Sequence, residues 1–328
     1  MKGLATRVLL IAPRWGSWSH VRGPRVRPSW ASSMETLSTC LAGLALLGAM
    51  AVMMAAEPAS TPEDSAVPSA VRGAPDSPSS ALTGREWLVA AYGGVPYTYD
   101  SDVRIMNIGK HDFTVRDVEW QGQPFTNPIY YGVRIARWLG HGRMGSMLDF
   151  THSKAISRRD QEARFEGTLA GKPAPEKALI GDIFNKLEAS HGHNMLTLNG
   201  LLRLPSFSLR VSPYVGIGAG VSLPHSEVHV KGDPARTYEY QMAGPVAQAL
   251  FGIELRLARM SYFLEYKFTF ADYRMPLSER DGYVLPTDLW AQFQRWWRGT
   301  EPPGGWAETQ FTSHQVIGGL GVRLPAAP

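Results

Sequence analysis

The sequence predicts an all-β protein, an eight-stranded antiparallel up-and-down transmembrane β-barrel. Three observations predict it. The stretch from Leu209 to Val230, LRVSPYVGIGAGVSLPHSEVHV, alternates strictly: Val211, Pro213, Val215, Ile217, Ala219, Val221 and Leu223 share one parity, and Ser212, Tyr214, Gly216, Gly218, Gly220 and Ser222 the other. Eight such stretches are joined by connections that are alternately short and long. No run of 18 apolar residues follows residue 84, which excludes a helical membrane protein. A strand with lipid outside and a crowded interior reads in this way. A soluble sandwich strand rarely sustains the pattern, because ordinary strands run about 5–6 residues. The glycines of the inward parity leave a narrow lumen for bulky neighbours.

In chain order, the first 56 residues carry six Lys/Arg and only Glu35 as an acid, leaving 27 basic and 28 acidic residues beyond them. The remainder is close to neutral and offers no case for nucleic-acid binding. Residues 37–56, LSTCLAGLALLGAMAVMMAA, follow a basic stretch and end in small residues, the pattern of a secretory signal cut near Ala56. The competing reading is a spanning anchor, since the run approaches the ~20 residues such a helix needs. Cys40, the only cysteine, falls in this leader, so neither disulfides nor a thiolate metal site is expected beyond it. Residues 57–84 are rich in Pro, Ser and Ala and are expected to be a disordered periplasmic linker.

The barrel is expected over 85–324, with strands at 85–98, 128–139, 143–155, 194–204, 209–224, 237–257, 260–272 and 309–324. Short connections follow the second, fourth and sixth; long ones follow the first, third, fifth and seventh. That asymmetry is the signature of an outer-membrane barrel, and an even strand count puts both ends on the short-turn side. Closure satisfies the edge hydrogen bonds that lipid leaves open. Tyr130, Tyr131, Trp138, Tyr262, Phe263 and Tyr266 are expected near strand ends or on outward faces, at the membrane interface. The inward parity carries Asp149, Thr151, Ser153, Thr197, Asn199, Arg203, Gln248, Glu254, Arg256, Glu265, Lys267, Gln315 and Arg323, whose opposite charges can pair and plug the lumen.

Five histidines fall at one level: His152 near the end of the third strand, His191 and His193 at the start of the fourth, His225 and His229 after the fifth. His225, Glu227 and His229 share one face of an extended segment, and imidazole plus carboxylate is an ordinary ligand set for Zn, Fe or Mn. His225, Glu227, His229, His191, His193 and His152 are therefore the candidate ligands of a divalent metal. Parity sets a difficulty: His225 continues the lipid-facing side of its strand, His191 and His193 the inward side of theirs, and a bend at Pro224 is needed to reconcile them. A nucleophilic His225-Ser226 pair is disfavoured because adjacent strand residues point to opposite faces. In the last long loop, PTDLWAQFQRWWRG predicts a helix capped by Thr287 or Asp288, with Leu289, Phe293, Trp296 and Trp297 at helical spacing. Arg295 and Arg298 flank the tryptophans as candidate ligands of lipid A phosphates, with the helix on the outer leaflet.

The segments EWLVAAYGGVPYTYDSDV, PIYYGVRIARW, LDFTHSK, NMLTLNGLLR, SPYVGIGAGVSLPHSEV, YEYQMAGPVAQALFGIE and FLEYKFTFADY resemble proteins grouped as lipid A oxidases, over about 85–324. LDFTHSK and LPHSEV are the more distinctive pieces. The resemblance implies an outer-membrane barrel that oxidises the proximal glucosamine of lipid A to 2-aminogluconate, using molecular oxygen and a divalent cation. Its partner would be the lipid A of lipopolysaccharide in the outer leaflet, and the barrel is expected to be a monomer. The long leader, the enlarged loop at 156–190 and the Trp-rich last loop depart from the family. Two other readings stand beside it: a non-enzymatic barrel, ligand-binding or structural and porin-like, and a lipid A deacylase of similar shape.

Overall fold

The computed structural model describes residues 86–139, 142–206, 208 and 210–325. The expected leader (1–56) and linker (57–84) lie outside the described residues. Eight long strands form a closed antiparallel ring: β1 (Glu86–Thr98), β2 (Tyr131–Leu139), β3 (Met144–Ser157), β4 (Phe184–Arg203), β5 (Val211–Ser222), β6 (Gly244–Leu257), β7 (Met260–Pro276) and β8 (Trp306–Pro325), with β8 paired to both β7 and β1.

The register fixes the geometry of the cylinder. Followed through successive partners, Glu86 faces Trp138, then Gly145, Leu201, Gly216, Leu250, Lys267 and Gln315, and the circuit returns to β1 at Pro96. The ring closes with a stagger of ten residues. With a rise of about 3.3 Å per residue and strands about 4.8 Å apart, eight strands with that stagger tilt by about 40° and enclose a radius of about 8 Å. A wall nine residues long at this tilt stands about 23 Å high, close to the apolar band of a membrane barrel.

Outward positions supply that band: Val89, Val133, Ile135, Leu148, Leu198, Ile217, Phe251, Tyr262 and Leu320 are all exposed. Tyr131 and Tyr262 face outward as expected, whereas Tyr130, Trp138 and Phe263 turn inward and are buried. The correction has a cause. Near the turn end the interior needs large side chains, and Arg203 lies over the Trp138 ring at 3.8 Å; at the opposite end Tyr130 turns in to donate to Gln315 Oε1 at 2.6 Å. The inward glycines of β5 do what their spacing predicts. A Cβ on Gly218 would meet Asn199 Oδ1 at 2.2 Å, and one on Gly216 would meet Leu201 Cδ2 at 2.7 Å.

The lumen is solid. Leu88, Tyr92, Trp138, Met147, Leu201, Tyr214, Leu250 and Phe263 form an apolar layer. Arg134, Asp149, Glu265 and Lys267 form an ionic layer of zero net charge in which Lys267 Nζ donates to Asp149 Oδ2 at 2.7 Å and Arg134 Nη1 donates to Glu265 Oε2 at 2.8 Å. Near the turns, Arg203 and Arg256 both bond Glu86. A void of about 20 Å³ beside Arg134 and Tyr214 holds one water at most.

The long connections are folded rather than loose. The hairpin Ser101–Asn107/His111–Val118 adds to β8, and Glu162–Leu169 adds to the hairpin. Their inner faces put Val103, Ile105, Phe113, Val115 and Phe165 over Phe184, Met195, Tyr273 and Phe311, a second apolar core above the membrane level. The strand expected at 237–257 is two: Arg236–Tyr240 pairs with His225–Val230, and β6 begins at Gly244. The strand expected from residue 194 begins at Phe184, because its first half pairs with that same rim hairpin.

Candidate functional site

Two places concentrate reactive groups, and they lie on opposite faces of the wall. The lumen holds many charges, but each is paired and sealed. The outer flank, just above the apolar band, holds polar groups at outward-facing positions, with Tyr131 exposed and His152, Asn194 and His225 covered. Registered neighbours there form a row: Tyr131 on β2 faces His152 on β3, and His152 faces Asn194 on β4. Asn194 is bonded to Leu223 at the end of β5, its Nδ2 donating to the Leu223 carbonyl at 3.1 Å. Pro224 then turns the chain, and His225 continues the row beside Tyr240, its registered partner.

Local sequence explains each position. On β3 the outward parity runs Leu148, Phe150, His152, so the imidazole sits one step above the last lipid-facing ring. On β4 the register with β3 slips between Ala189 and His193, around Gly192 at φ +145°, a conformation that favours glycine. That bulge swings His191 out while His193 stays inside. The Pro224 bend leaves His225, Glu227 and His229 on the outer face, and Ser226, Val228 and Val230 on the inner one.

The hydrogen bonds assign the imidazole tautomers. Asn194 Oδ1, with its amide nitrogen committed to Leu223, must accept from His152 Nδ1 at 2.7 Å. The Nε2 of His152 is left as a bare, buried acceptor. His225 Nε2 donates to the Gly282 carbonyl at 2.9 Å, leaving Nδ1 bare. The Ser190 hydroxyl gives its proton to Glu188 at 2.8 Å, so His191 Nδ1 is the donor in its 3.2 Å contact with Ser190 Oγ. The rings of His191 and His225 lie 5.1 Å apart, walled by Tyr238, Tyr240 and Tyr283. Burial lowers the pKa of His225, against the pull of the Gly282 carbonyl, so it stays neutral at neutral pH. Burial likewise raises Tyr238 and Tyr240, which stay protonated.

The six expected ligands do not converge. His191 and His225 come together, and His152 stands further along the same face. His193 lies inside the barrel, bonded to Tyr273 and packed on Phe311. His229 is held by the Asp233 carbonyl and Asn185, and Glu227 lies 3.7 Å from Lys186. Pleat parity turns His193 inward, and spacing along the strands keeps His152, Glu227 and His229 from the His191–His225 pair. Among the described residues no group of three or more His, Cys, Asp or Glu side chains is arranged to hold a metal. Two imidazoles are fewer than the three protein ligands of a catalytic zinc-type site, so the residues present do not by themselves fit the divalent cation.

Arg295 is also placed differently from expectation. It points to the barrel and donates to the buried Glu239 at 3.1 Å, which Ser278 and Arg280 also bond. Arg298 is exposed at the helix end. Sequence reasoning missed Asn194, Tyr238, Tyr240 and Tyr283 as site residues. The period-2 Tyr238-Glu239-Tyr240 opposite His225 and Glu227 was the available signal.

No protein-family model matches the chain, and no curated protein matches it. Solved structures of similar shape include the outer membrane protein OprG from Pseudomonas aeruginosa, at 10% identity and TM-score 0.35, covering 74% of this chain and 98% of that one. The Ail attachment invasion locus protein of Yersinia pestis, solved with the heparin analogue sucrose octasulfate, has 10% identity and TM-score 0.29, covering 74% and 99%. The outer membrane protease OmpT from Escherichia coli has 9% identity and TM-score 0.33, covering 73% and 97%. Scores this low carry no inference about activity. The closed register, the apolar band, the short turns and the elaborated opposite end are by themselves those of an outer-membrane barrel protein.

Proposed function

We propose that this barrel modifies lipid A in the outer leaflet, and that the outward row of Tyr131, His152, Asn194, His225 and Tyr240 receives the sugar headgroup. The single observation that carries the reading is the height and direction of bare imidazole nitrogens. His152 Nε2 and His225 Nδ1 belong to the outward-facing row directly above the apolar band and have no hydrogen-bond partner among the described residues. Both are covered, His152 by the stacked Tyr131 ring, so a headgroup reaches them only by displacing that cover. The two distinctive segments of the lipid A oxidase resemblance, LDFTHSK and LPHSEV, supply one of these imidazoles each. A lipid standing beside the barrel presents its glucosamine hydroxyls at that level. His152 Nε2, its tautomer fixed by Asn194, is suited to accept a hydroxyl proton. The tyrosine hydroxyls and the His225 pocket orient the sugar.

Oxidation of the proximal glucosamine is the reaction the resemblance implies. The oxidant and the cation belong to that implication, and no step is assigned to them, because the chain offers only two converging imidazoles. The deacylase reading is weaker on this geometry: Ser226 and Ser153 face inward, and the Ser190 proton is committed to Glu188. The porin-like reading conflicts with the filled lumen. A barrel that binds the headgroup without altering it is the second reading, favoured by the incomplete ligand set.

Mass spectrometry of lipid A from cells with and without the gene tests the proposal. The expected result is a gain of one oxygen atom, abolished by His152→Ala or His225→Ala. Unchanged lipid A alongside a folded, surface-located barrel refutes it, and loss of an acyl chain makes the protein a deacylase.

A further inference from the structure

The helix α1 (Leu285–Trp297) is inside out by the standard of a soluble protein. It turns Asp288, Gln292 and Arg295 toward the barrel, and each is bonded there. Asp288 Oδ2 accepts the Tyr240 N–H at 3.2 Å, so it serves neighbouring backbone rather than capping its own helix. Gln292 exchanges two hydrogen bonds with the Met242 main chain, at 2.8 and 3.0 Å. Arg295 reaches the fully buried Glu239. The other face carries Trp290, Phe293, Trp296 and Trp297, all exposed, with Phe293 lying 5.5 to 6.1 Å from the three indoles. An ordinary surface helix buries its apolar stripe and shows water its charges. Three polar clamps here hold the aromatic stripe outward, and an apolar patch of that kind marks an interaction surface.

The attachment point tells what covers it. Gln292 is tied to Met242, two residues ahead of β6, and the first outward residues of β6, Pro245 and Ala247, already belong to the apolar band. The helix is therefore moored beside the upper end of β6, where hydrocarbon gives way to headgroups, with its aromatic face turned outward and apolar Met242, Tyr283 and Val284 exposed beside it. Tryptophan favours that level, having an apolar body and a polar N–H. Arg298, at the helix end, suits anionic headgroups.

We propose that α1 is a membrane-seated arm: its aromatic face is sunk in the outer leaflet at the headgroup boundary, and its partner is the lipid surface itself. The inference goes beyond lipid A modification and holds whatever the outward row does. It assigns the polar clamps their purpose, which is to keep the arm at a fixed height against the flank where the row lies.

The test uses spin labels on the full chain, with Cys40→Ser removing the only native thiol. Single cysteines are introduced as Phe293→Cys, Ile217→Cys on the lipid-facing wall and Ile108→Cys at the fully exposed hairpin tip. The proteins are placed in phosphatidylethanolamine/phosphatidylglycerol bilayers without lipid A, so that failure here is separate from failure of the catalytic reading. The arm predicts that the Phe293 label loses collisions with a water-soluble nickel chelate and keeps those with oxygen, as the Ile217 label does. Nickel collisions equal to those of the Ile108 label overturn the proposal. So does spin–spin broadening that disappears on dilution with unlabelled protein, which makes the occupant a second copy. If Phe293→Cys does not fold, Trp297→Cys gives the same reading from the same face.

Discussion

Replacing Lys267 by methionine isolates the worth of the ionic layer in the lumen. Lys267 is fully buried, and its Nζ donates to Asp149 Oδ2 at 2.7 Å, Thr151 Oγ1 at 3.0 Å and Tyr92 OH at 3.0 Å. The layer holds two cations, Arg134 and Lys267, against two carboxylates, Asp149 and Glu265. Lys267→Met leaves one carboxylate uncompensated where water does not reach. Breaking a buried pair from one side costs about 3–5 kcal/mol. At roughly 1.4 kcal/mol per decade, that is about two to three and a half decades of folding equilibrium. Adding Asp149→Asn restores neutrality, with Arg134 still bonded to Glu265, so the double variant should recover about 1–3 kcal/mol relative to the sum of the single costs. Urea unfolding in phospholipid vesicles, followed by circular dichroism, measures all four corners of the cycle. A single-variant cost below about 1 kcal/mol, the range of a solvated surface pair, refutes a dry lumen. Strict additivity refutes the coupling.

Three further outcomes follow from other parts of the molecule. Gly132→Val puts a side chain where the Tyr92 ring lies, since a Cβ there would come within 1.9 Å of Tyr92 Cζ, and thermal unfolding should register an overpacking cost of about 1–3 kcal/mol. At the rim, burial raises the Asp233 carboxyl, but hydrogen bonds from Lys110, the Ala235 N–H and His111 outweigh it and hold the pKa below the ordinary value. The clasp is therefore at full strength above the unfolded carboxylate pKa near ~4 and weakens as pH falls through the lower folded value. Hydrogen-exchange protection at Ala235, whose N–H donates to Asp233 Oδ1, should be kept at pH 5 and lost below about pH 4, and Asp233→Asn should abolish that dependence. Because burial lowers the His225 pKa, lipid A modification in vesicles should hold level from neutral pH down through about 6.5 and fall only below it. A fall centred above that value shows that another group controls the rate.

Much of the barrel was legible because lipid imposes a period of two and closure imposes a count. Asp149, Glu254, Glu265 and Lys267 declared their direction by parity alone, and the structure buries all four. The lid was less legible. Val103, Ile105, Phe113 and Val115 alternate as strand residues do, but within a long connection nothing in the sequence states that they cover a barrel mouth. The histidines were legible as a level but not as a cluster, since convergence turns on the Gly192 bulge and the Pro224 bend. The last loop gave its helix, its aromatic stripe and a place on the outer leaflet, yet not the contacts of Asp288, Gln292 and Arg295 that hold the stripe outward. Periodicity reveals two faces; which one meets the protein depends on whether the medium beyond is water or lipid.

The second apolar core, under the hairpin lid, makes β4 a strand that lives in two solvents. Its lower half stands against hydrocarbon, where burying a leucine yields little, while its upper half is held by Phe184, Leu187 and Met195 packing away from water. Agents that weaken the aversion of water for hydrocarbon, such as moderate urea or cold, act first on the upper half, while the hydrogen-bonded closure of the lower half gives way only at higher denaturant. The dome can therefore loosen while the cylinder stands, and the flank carrying His191 and His225 is built on the half that loosens.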